Sequence, residues 1–274
     1  MAPTVTSWDN LAFAYEETDD DTGQHRQTIF AVVDDDDVAY FGTSNLSKKY
    51  LSFDTVTSLL EPVPDEDVYP QWTTDENEGN EGNDLTRARE TDTPPSAVYI
   101  KRPMLAQYAV FKKHNVLPLI PNALLEEAQT MEFLTQHPHP HIVRYHGCRV
   151  RRGRIVGLVL DRYPHTLTAY LQDKVGTVDK EPFMDALQSA LHHLHALGWA
   201  HNDLNPSNIL VDPRGLPVLI DFGSAQPVGN KLGTSRGTDG WIDSGMQDYH
   251  TSETKHDAFA IDKLRSWLDA PTFD

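Results

Sequence analysis

Residues 201–223 read HNDLNPSNILVDPRGLPVLIDFG, and no other stretch restricts the fold as much. Two short apolar runs, 209–211 and 216–220, flank the turn Asp212-Pro213-Arg214-Gly215. Apolar runs separated by a Pro- and Gly-containing turn predict a pair of strands. Asn208 enters the first run and Asp221 leaves the second, so both polar side chains sit at the ends of a stiff ribbon. Upstream, residues 201–208 hold one histidine, one aspartate and three asparagines without apolar periodicity, which predicts a loop.

A divalent cation that bridges phosphates takes hard oxygen ligands, commonly one or two carboxylates with an amide oxygen. Asn208 and Asp221 supply that pair from neighbouring elements. Asp203, five residues before Asn208, brings a second carboxylate to the mouth of the loop. It is suited to orient a hydroxyl for in-line attack and to accept its proton. The spacing therefore points to phosphoryl transfer.

The surrounding chain predicts an alternation of strands and helices. Val98-Tyr99-Ile100-Lys101 is β-branched and aromatic and is halted by Pro103. Pro121-Asn122 opens a helix with Leu124, Ala128, Met131 and Leu134 on one face. Strands are expected over 142–150 and 154–163, joined through Arg151-Arg152-Gly153. A second helix begins near Pro182, carries Met184, Leu187, Leu191 and Leu194, and stops at Gly198. A last helix starts near Asp257, with Ile261, Leu264 and Leu268 on one side.

In order along the chain, these residues resemble the protein kinase superfamily, and most closely a group of fungal kinase-like sequences. Residues 201–208 match H-R-D-x-x-x-x-N except at Asn202, Asp221-Phe222-Gly223 matches D-F-G, and Val98-Tyr99-Ile100-Lys101 resembles V-A-I-K. His137-Pro138-His139-Pro140-His141 looks like the link out of the family's C helix. Gly237-Thr238 and Gly240-Trp241 resemble the end of an activation segment, and Asp257 the buried aspartate behind the catalytic loop. The resemblance implies a bilobal α+β kinase-like fold, with ATP and Mg²⁺ as cofactors. It implies that Lys101, held by a C-helix glutamate, contacts the phosphates, that Asn208 and Asp221 hold the metal, and that Asp203 serves the acceptor hydroxyl. Asn205 lies beside the transferred phosphate in that scheme. Among Glu126, Glu127 and Glu132, only Glu127 is in step with Met131 and Leu134, which makes it the inward-facing partner of Lys101.

Four features depart from the pattern. No G-x-G-x-x-G precedes Lys101. Gly79 and Gly82 lie among carboxylates that would repel a triphosphate, and the hairpin expected at 28–42, with its turn Asp34 to Asp37, lies far upstream of Lys101, so the covering of the phosphates is left unexplained. Asn202 replaces the arginine that answers a phosphorylated activation segment, so an active protein would not need that switch. Asn205 replaces a lysine, as small-molecule kinases of the aminoglycoside and choline type tolerate. Finally, only six residues follow Leu268, which predicts a shortened lower lobe. The acceptor is then a protein Ser/Thr hydroxyl or a small-molecule hydroxyl. The competing reading is a pseudokinase, either nucleotide-binding or purely interacting, that serves as a scaffold.

Charge divides the chain. Residues 1–95 hold 22 acidic and 5 basic side chains; residues 96–274 hold 19 and 18. An acidic extension over 1–95 is therefore expected, with a hairpin near 28–42 and a mobile linker over 75–95. An upper lobe over 96–162 and a lower lobe over 163–274 follow. Ten aromatics within 1–95, among them Trp8, Phe30, Tyr40 and Tyr69, imply that part of the extension is ordered. Its charge suits either a solvated segment or a dock for a basic partner. It disfavours nucleic acid, whose phosphates need a basic surface. No apolar run reaches membrane-spanning length and no leader pattern opens the chain. The single Cys148 forms no internal disulfide and reads as an inert core thiol, so a cytoplasmic location is expected. His137, His139 and His141, like His192, His193 and His195, read as packing residues rather than metal ligands, and His201 as a structural loop residue.

Overall fold

The computed structural model describes residues 2–19, 22–73, 85–89, 94–233, 236–243, 245 and 248–273. The chain forms two compact units, each drawn from three separate stretches: Met1–Thr73, Arg102–Leu124 and Val150–Gly157 in the first, and Thr74–Lys101, Leu125–Arg149 and Leu158–Asp274 in the second. These boundaries differ from the divisions at 95 and 162 that charge and motifs suggest.

The first unit carries strands β1 (Phe13–Thr18), β2 (His25–Val33), β3 (Ala39–Ser44) and β4 (Glu61–Pro62), paired antiparallel in the order β1-β2-β3-β4. The β2–β3 pair is the expected hairpin. Its four-aspartate turn closes because the Asp34 carboxylate accepts the Asp36 and Val38 amides at 3.0 and 2.8 Å, while Asp37 takes φ 63°. This hairpin belongs to a sheet distinct from the one that carries Lys101. Short helices α1 (Phe53–Leu59), α2 (Asp65–Val68) and α3 (Tyr108–Lys113) complete the unit. Its core includes Ala31, Ala39, Val68, Tyr69, Leu105, Tyr108, Ile120 and Val156. Part of the acidic charge is neutralised locally. Buried Asp37 meets Arg102 at 2.6 Å and Arg151 at 3.6 Å, and the Arg152 guanidinium grips the Asp65 carboxylate at 2.7 and 3.0 Å.

Helix α4 (Leu119–Thr135) runs from the first unit into the second. Leu124, Ala128, Met131 and Leu134 are all buried, as their spacing predicts. A three-stranded sheet in the order β5-β7-β6 is formed by β5 (Val98–Lys101), β6 (Tyr145–Arg151) and β7 (Arg154–Asp161). The strand expected from residue 142 starts three residues later. Ile142 and Val143 instead lie parallel to Leu219, because the turn after Pro140 diverts the chain there first.

The remaining elements are α5 (Leu167–Gln172), α6 (Lys180–Ala196), β8 (Trp199–Ala200), β9 (Ile209–Val211), β10 (Pro217–Leu219), β11 (Gln226–Pro227) and α7 (Thr254–Trp267). Helix α6 buries Met184, Leu187, Leu191 and Leu194 and stops at Gly198, which takes φ 79°. Strands β9 and β10 pair antiparallel, β8 pairs with β11, and the whole is an α+β fold with a β-rich N-terminal part and a largely helical C-terminal part.

Of the expected 75–95 linker, residues 75–84 and 90–93 lie outside the described residues. Residues 85–89 are tied to β6 and α4. Among the described residues no helix is long and apolar enough to cross a membrane.

Candidate active site

Lys101 ends β5, and its side chain is held by two carboxylates. The ammonium lies 2.7 and 2.6 Å from the two oxygens of Glu127 and 2.8 Å from Asp221 Oδ1. Glu127 is buried, and one of its oxygens also accepts the Phe222 amide at 3.1 Å. Burial works against the lysine's charge, yet the two carboxylates hold its pKa above the ordinary value. Burial, with Asp221 nearby, pushes Glu127 up. Burial also opposes ionisation of Asp221, but Lys101 outweighs it and holds that carboxyl below its usual range. Asp221 takes φ 62°, and its side chain caps the 3₁₀ turn Phe222–Ser224 by accepting the Gly223 amide at 3.3 Å. The periodicity of α4 thus selects the glutamate that meets Lys101. Glu126 and Glu132 point elsewhere, Glu132 toward Thr86.

The 201–208 loop is built from its asparagines. Asn208 Nδ2 donates to the Asp203 carbonyl at 2.8 Å and to Asp203 Oδ2 at 3.0 Å. With its nitrogen so engaged, the amide oxygen of Asn208 remains as a lone-pair donor. Asn208 O accepts the Ile220 amide at 3.0 Å, which brings Asn208 beside the residue preceding Asp221. Asn205 Oδ1 accepts the Ser207 amide, while its nitrogen reaches Asp203 Oδ1 at 3.1 Å and Thr238 Oγ1 at 3.1 Å. Thr238 Oγ1 donates to Asp203 Oδ1 at 2.7 Å. Burial raises the Asp203 pKa, against the lowering effect of Thr238 and Asn205.

Behind the loop, fully buried Asp257 accepts the His201 and Asn202 amides at 2.9 and 2.8 Å and faces His195 Nε2 at 2.8 Å. His201 Nε2 lies 3.0 Å from the Ile220 carbonyl, which gives it the structural place expected of it.

A protein kinase domain model matches residues 104–262, more than half of the chain. The chain belongs to the protein kinase domain family. Glu127, Asp203, Asn205, Asn208 and Asp221 fall inside the matched stretch of this kinase domain, and Lys101 lies three residues before it. Similar proteins come from a plant, a yeast and a bacterium. The chain is 30% identical to Mitogen-activated protein kinase kinase kinase 5 of Arabidopsis thaliana over 141 residues, 49% of this chain and 20% of that protein. It is 33% identical to Serine/threonine-protein kinase SSK22 of Saccharomyces cerevisiae over 127 residues, 44% and 9% of the two chains. It is 36% identical to the DNA damage-responsive serine/threonine-protein kinase RqkA of Deinococcus radiodurans over 114 residues, 40% and 17%. The chain spans a fifth or less of the length of these relatives.

Beside Lys101 and Asp221 the kinase domain has a cavity of about 290 Å³. Tyr99, Val143, Leu160, Leu210 and Ile220 give it apolar walls, and Thr166 and Asp161 add polar groups. Two features escape sequence reading. Thr238 is joined to Asp203 across 35 residues, and nothing in local spacing signals it. Asn202 is more than a substitution. It is buried, takes φ 64°, and its Nδ2 lies 2.9–3.0 Å from Ala200 O, Ser224 O and Ser252 Oγ, while its own carbonyl accepts the Tyr249 hydroxyl. The histidine triplet is engaged in packing: His137 Nδ1 faces Phe133 O, His141 Nδ1 faces Pro217 O, and His139 stacks on His193. Among the described residues no group of three or more His, Cys, Asp or Glu forms a metal cluster. Cys148 is buried beside Tyr145, and burial pushes its thiol up to about 11.

Proposed function

We propose that this kinase domain is an ATP- and Mg²⁺-dependent phosphotransferase acting on the Ser/Thr hydroxyl of a protein. One observation carries the reading: the Lys101 ammonium bridges Glu127 and Asp221, at the edge of a cavity with apolar walls. An isolated surface lysine has no need of two carboxylates.

In this reading Lys101, fixed by Glu127, neutralises nucleotide phosphate. The hard-oxygen set suits magnesium: the Asp221 carboxylate and the Asn208 amide oxygen would hold the ion. When bound, magnesium would neutralise charge on the phosphates. Asp203, anchored by Asn205, Asn208 and Thr238, orients the acceptor hydroxyl and takes its proton. Asn205, lacking a lysine's charge, offers the transferred phosphate only amide hydrogen bonds. The hydrogen bonds of Asn202 to Ser224 and Ser252 hold the loop without a phosphate, in keeping with an enzyme that needs no activating phosphorylation. The protein would work in the cytoplasm, and exposed acids of the first unit such as Asp35, Asp54 and Glu66 would meet a basic partner.

Asn205 in the lysine position also favours a second reading, a nucleotide-binding scaffold without transfer activity. Thermal-shift titration with ATP, with and without Mg²⁺, tests binding on the native protein and on Asp221→Asn. A magnesium-dependent rise in melting temperature, lost in the variant, is expected. The absence of any shift at millimolar ATP would overturn both readings. Transfer of labelled phosphate to protein separates them.

A further inference from the structure

Strand β6 is an edge of its sheet, and an open edge invites pairing. Here residues 85–89 cover it. Cys148 donates its amide to Thr86 O at 2.7 Å, Ala88 donates its amide to Cys148 O at 2.9 Å, and Arg87 pairs with Cys148 in a parallel bridge. The approach depends on Gly147. It takes φ 119°, and a Cβ there would stand 2.7 Å from both Ala88 N and Thr86 O. The same segment reaches α4. The Glu132 carboxylate accepts the Thr86 amide at 2.8 Å and the Thr86 hydroxyl at 2.6 Å, a two-point grip.

Glu132 and Glu127 share α4. Five residues on a helix separate them by about 7.5 Å along the axis and about 140° around it. Thr86 therefore holds one side of the helix, while Lys101 and the Phe222 amide hold another. A helix gripped at two such points cannot roll without breaking one of them.

We propose that residues 85–89 form a built-in strand clamp that sets the rotation of α4, with Thr86 as the positioning residue through which Glu127 is held on Lys101 and Phe222. The clamp lies far upstream of the loops that carry Asp203 and Asp221, so its grip couples the state of that upstream segment to the site. It is independent of whether the site transfers phosphate, because the Phe222 amide reports the position of Glu127 without any nucleotide.

Amide hydrogen exchange on the full chain tests this with Thr86→Val, Thr86→Ser and Glu132→Gln. Thr86→Val is expected to speed exchange of the Ala88 and Cys148 amides at least tenfold and that of Phe222 severalfold. Glu132→Gln should act in the same direction, and Thr86→Ser should restore native rates at all three amides. Faster trypsin cleavage after exposed Arg87 and Arg89 should accompany the first two variants. If Ala88 and Cys148 exchange at native rates in Thr86→Val, there is no clamp. If they speed up while Phe222 is unmoved, residues 85–89 are a tether that positions nothing. Either result overturns the proposal, whether or not the protein responds to ATP.

Discussion

Replacing Asn202 by alanine should cost this domain more stability than any other single change in the 201–208 loop. The Asn202 amide nitrogen has two protons to share among Ala200 O, Ser224 O and Ser252 Oγ, all within 2.9–3.0 Å, and its oxygen accepts the Glu253 amide at 3.3 Å. Truncation removes about three hydrogen bonds from a site only 1% exposed, where water cannot replace them all. At about 1–1.5 kcal/mol each, the loss is about 3–5 kcal/mol. Alanine must also keep φ near 64°, which adds about 1 kcal/mol. The sum is about 4–6 kcal/mol, a large part of the total stability of an ordinary domain. Urea unfolding at 25 °C, followed by far-UV circular dichroism, measures it directly. Asn202→Gly serves as the control, since it loses the same bonds without the backbone strain and should be about 1 kcal/mol less damaging. A loss below about 1 kcal/mol in the alanine variant would refute the reasoning, as would a glycine variant no milder than alanine.

Two further outcomes follow from the same geometry. Burial raises the Asp203 pKa, so its proton-accepting form disappears as pH falls through a value above the ordinary 3.8; the acid limb of kcat/KM should sit above 3.8 and vanish in Asp203→Asn along with turnover, while ATP still shifts the melting temperature. Asp257→Ala strands the buried His201 and Asn202 amides and should cost about 3–5 kcal/mol in urea unfolding, with Asp257→Asn recovering only part of the loss because its one amide oxygen serves one of the two donors.

Motif spacing makes Lys101, Asn208 and Asp221 legible because each lies at or next to an element end fixed by local apolar runs, and it places Asp203 in the loop that leads to Asn208. Glu127 was readable because helical periodicity distinguishes neighbours 100° apart. Thr238 was not, since its link to Asp203 depends on a fold across 35 residues. The grip of Thr86 on Glu132 was hidden for the same reason, and polar composition around it suggested only a linker. An apolar run does not state which strand it will pair with, so β6 begins later than its run suggests: Ile142 and Val143 take Leu219 as partner. In the first unit, charge counting treated residues 1–95 as a separate acidic piece, whereas its counter-charges, Arg102, Arg151 and Arg152, lie downstream in sequence.

That last arrangement bears on how the chain is born. Leu105, Tyr108, Ile120 and Val156 belong to the same apolar cluster as Ala31, Ala39 and Tyr69. A ribosome that has released only the first 95 residues has delivered a sheet without its far wall or its arginines. The first unit can reach its final packing only after residue 157 has cleared the exit tunnel, when much of the second unit is still unsynthesised. Truncation at the apparent boundary near 95 would leave an acidic fragment that shows its apolar face to water.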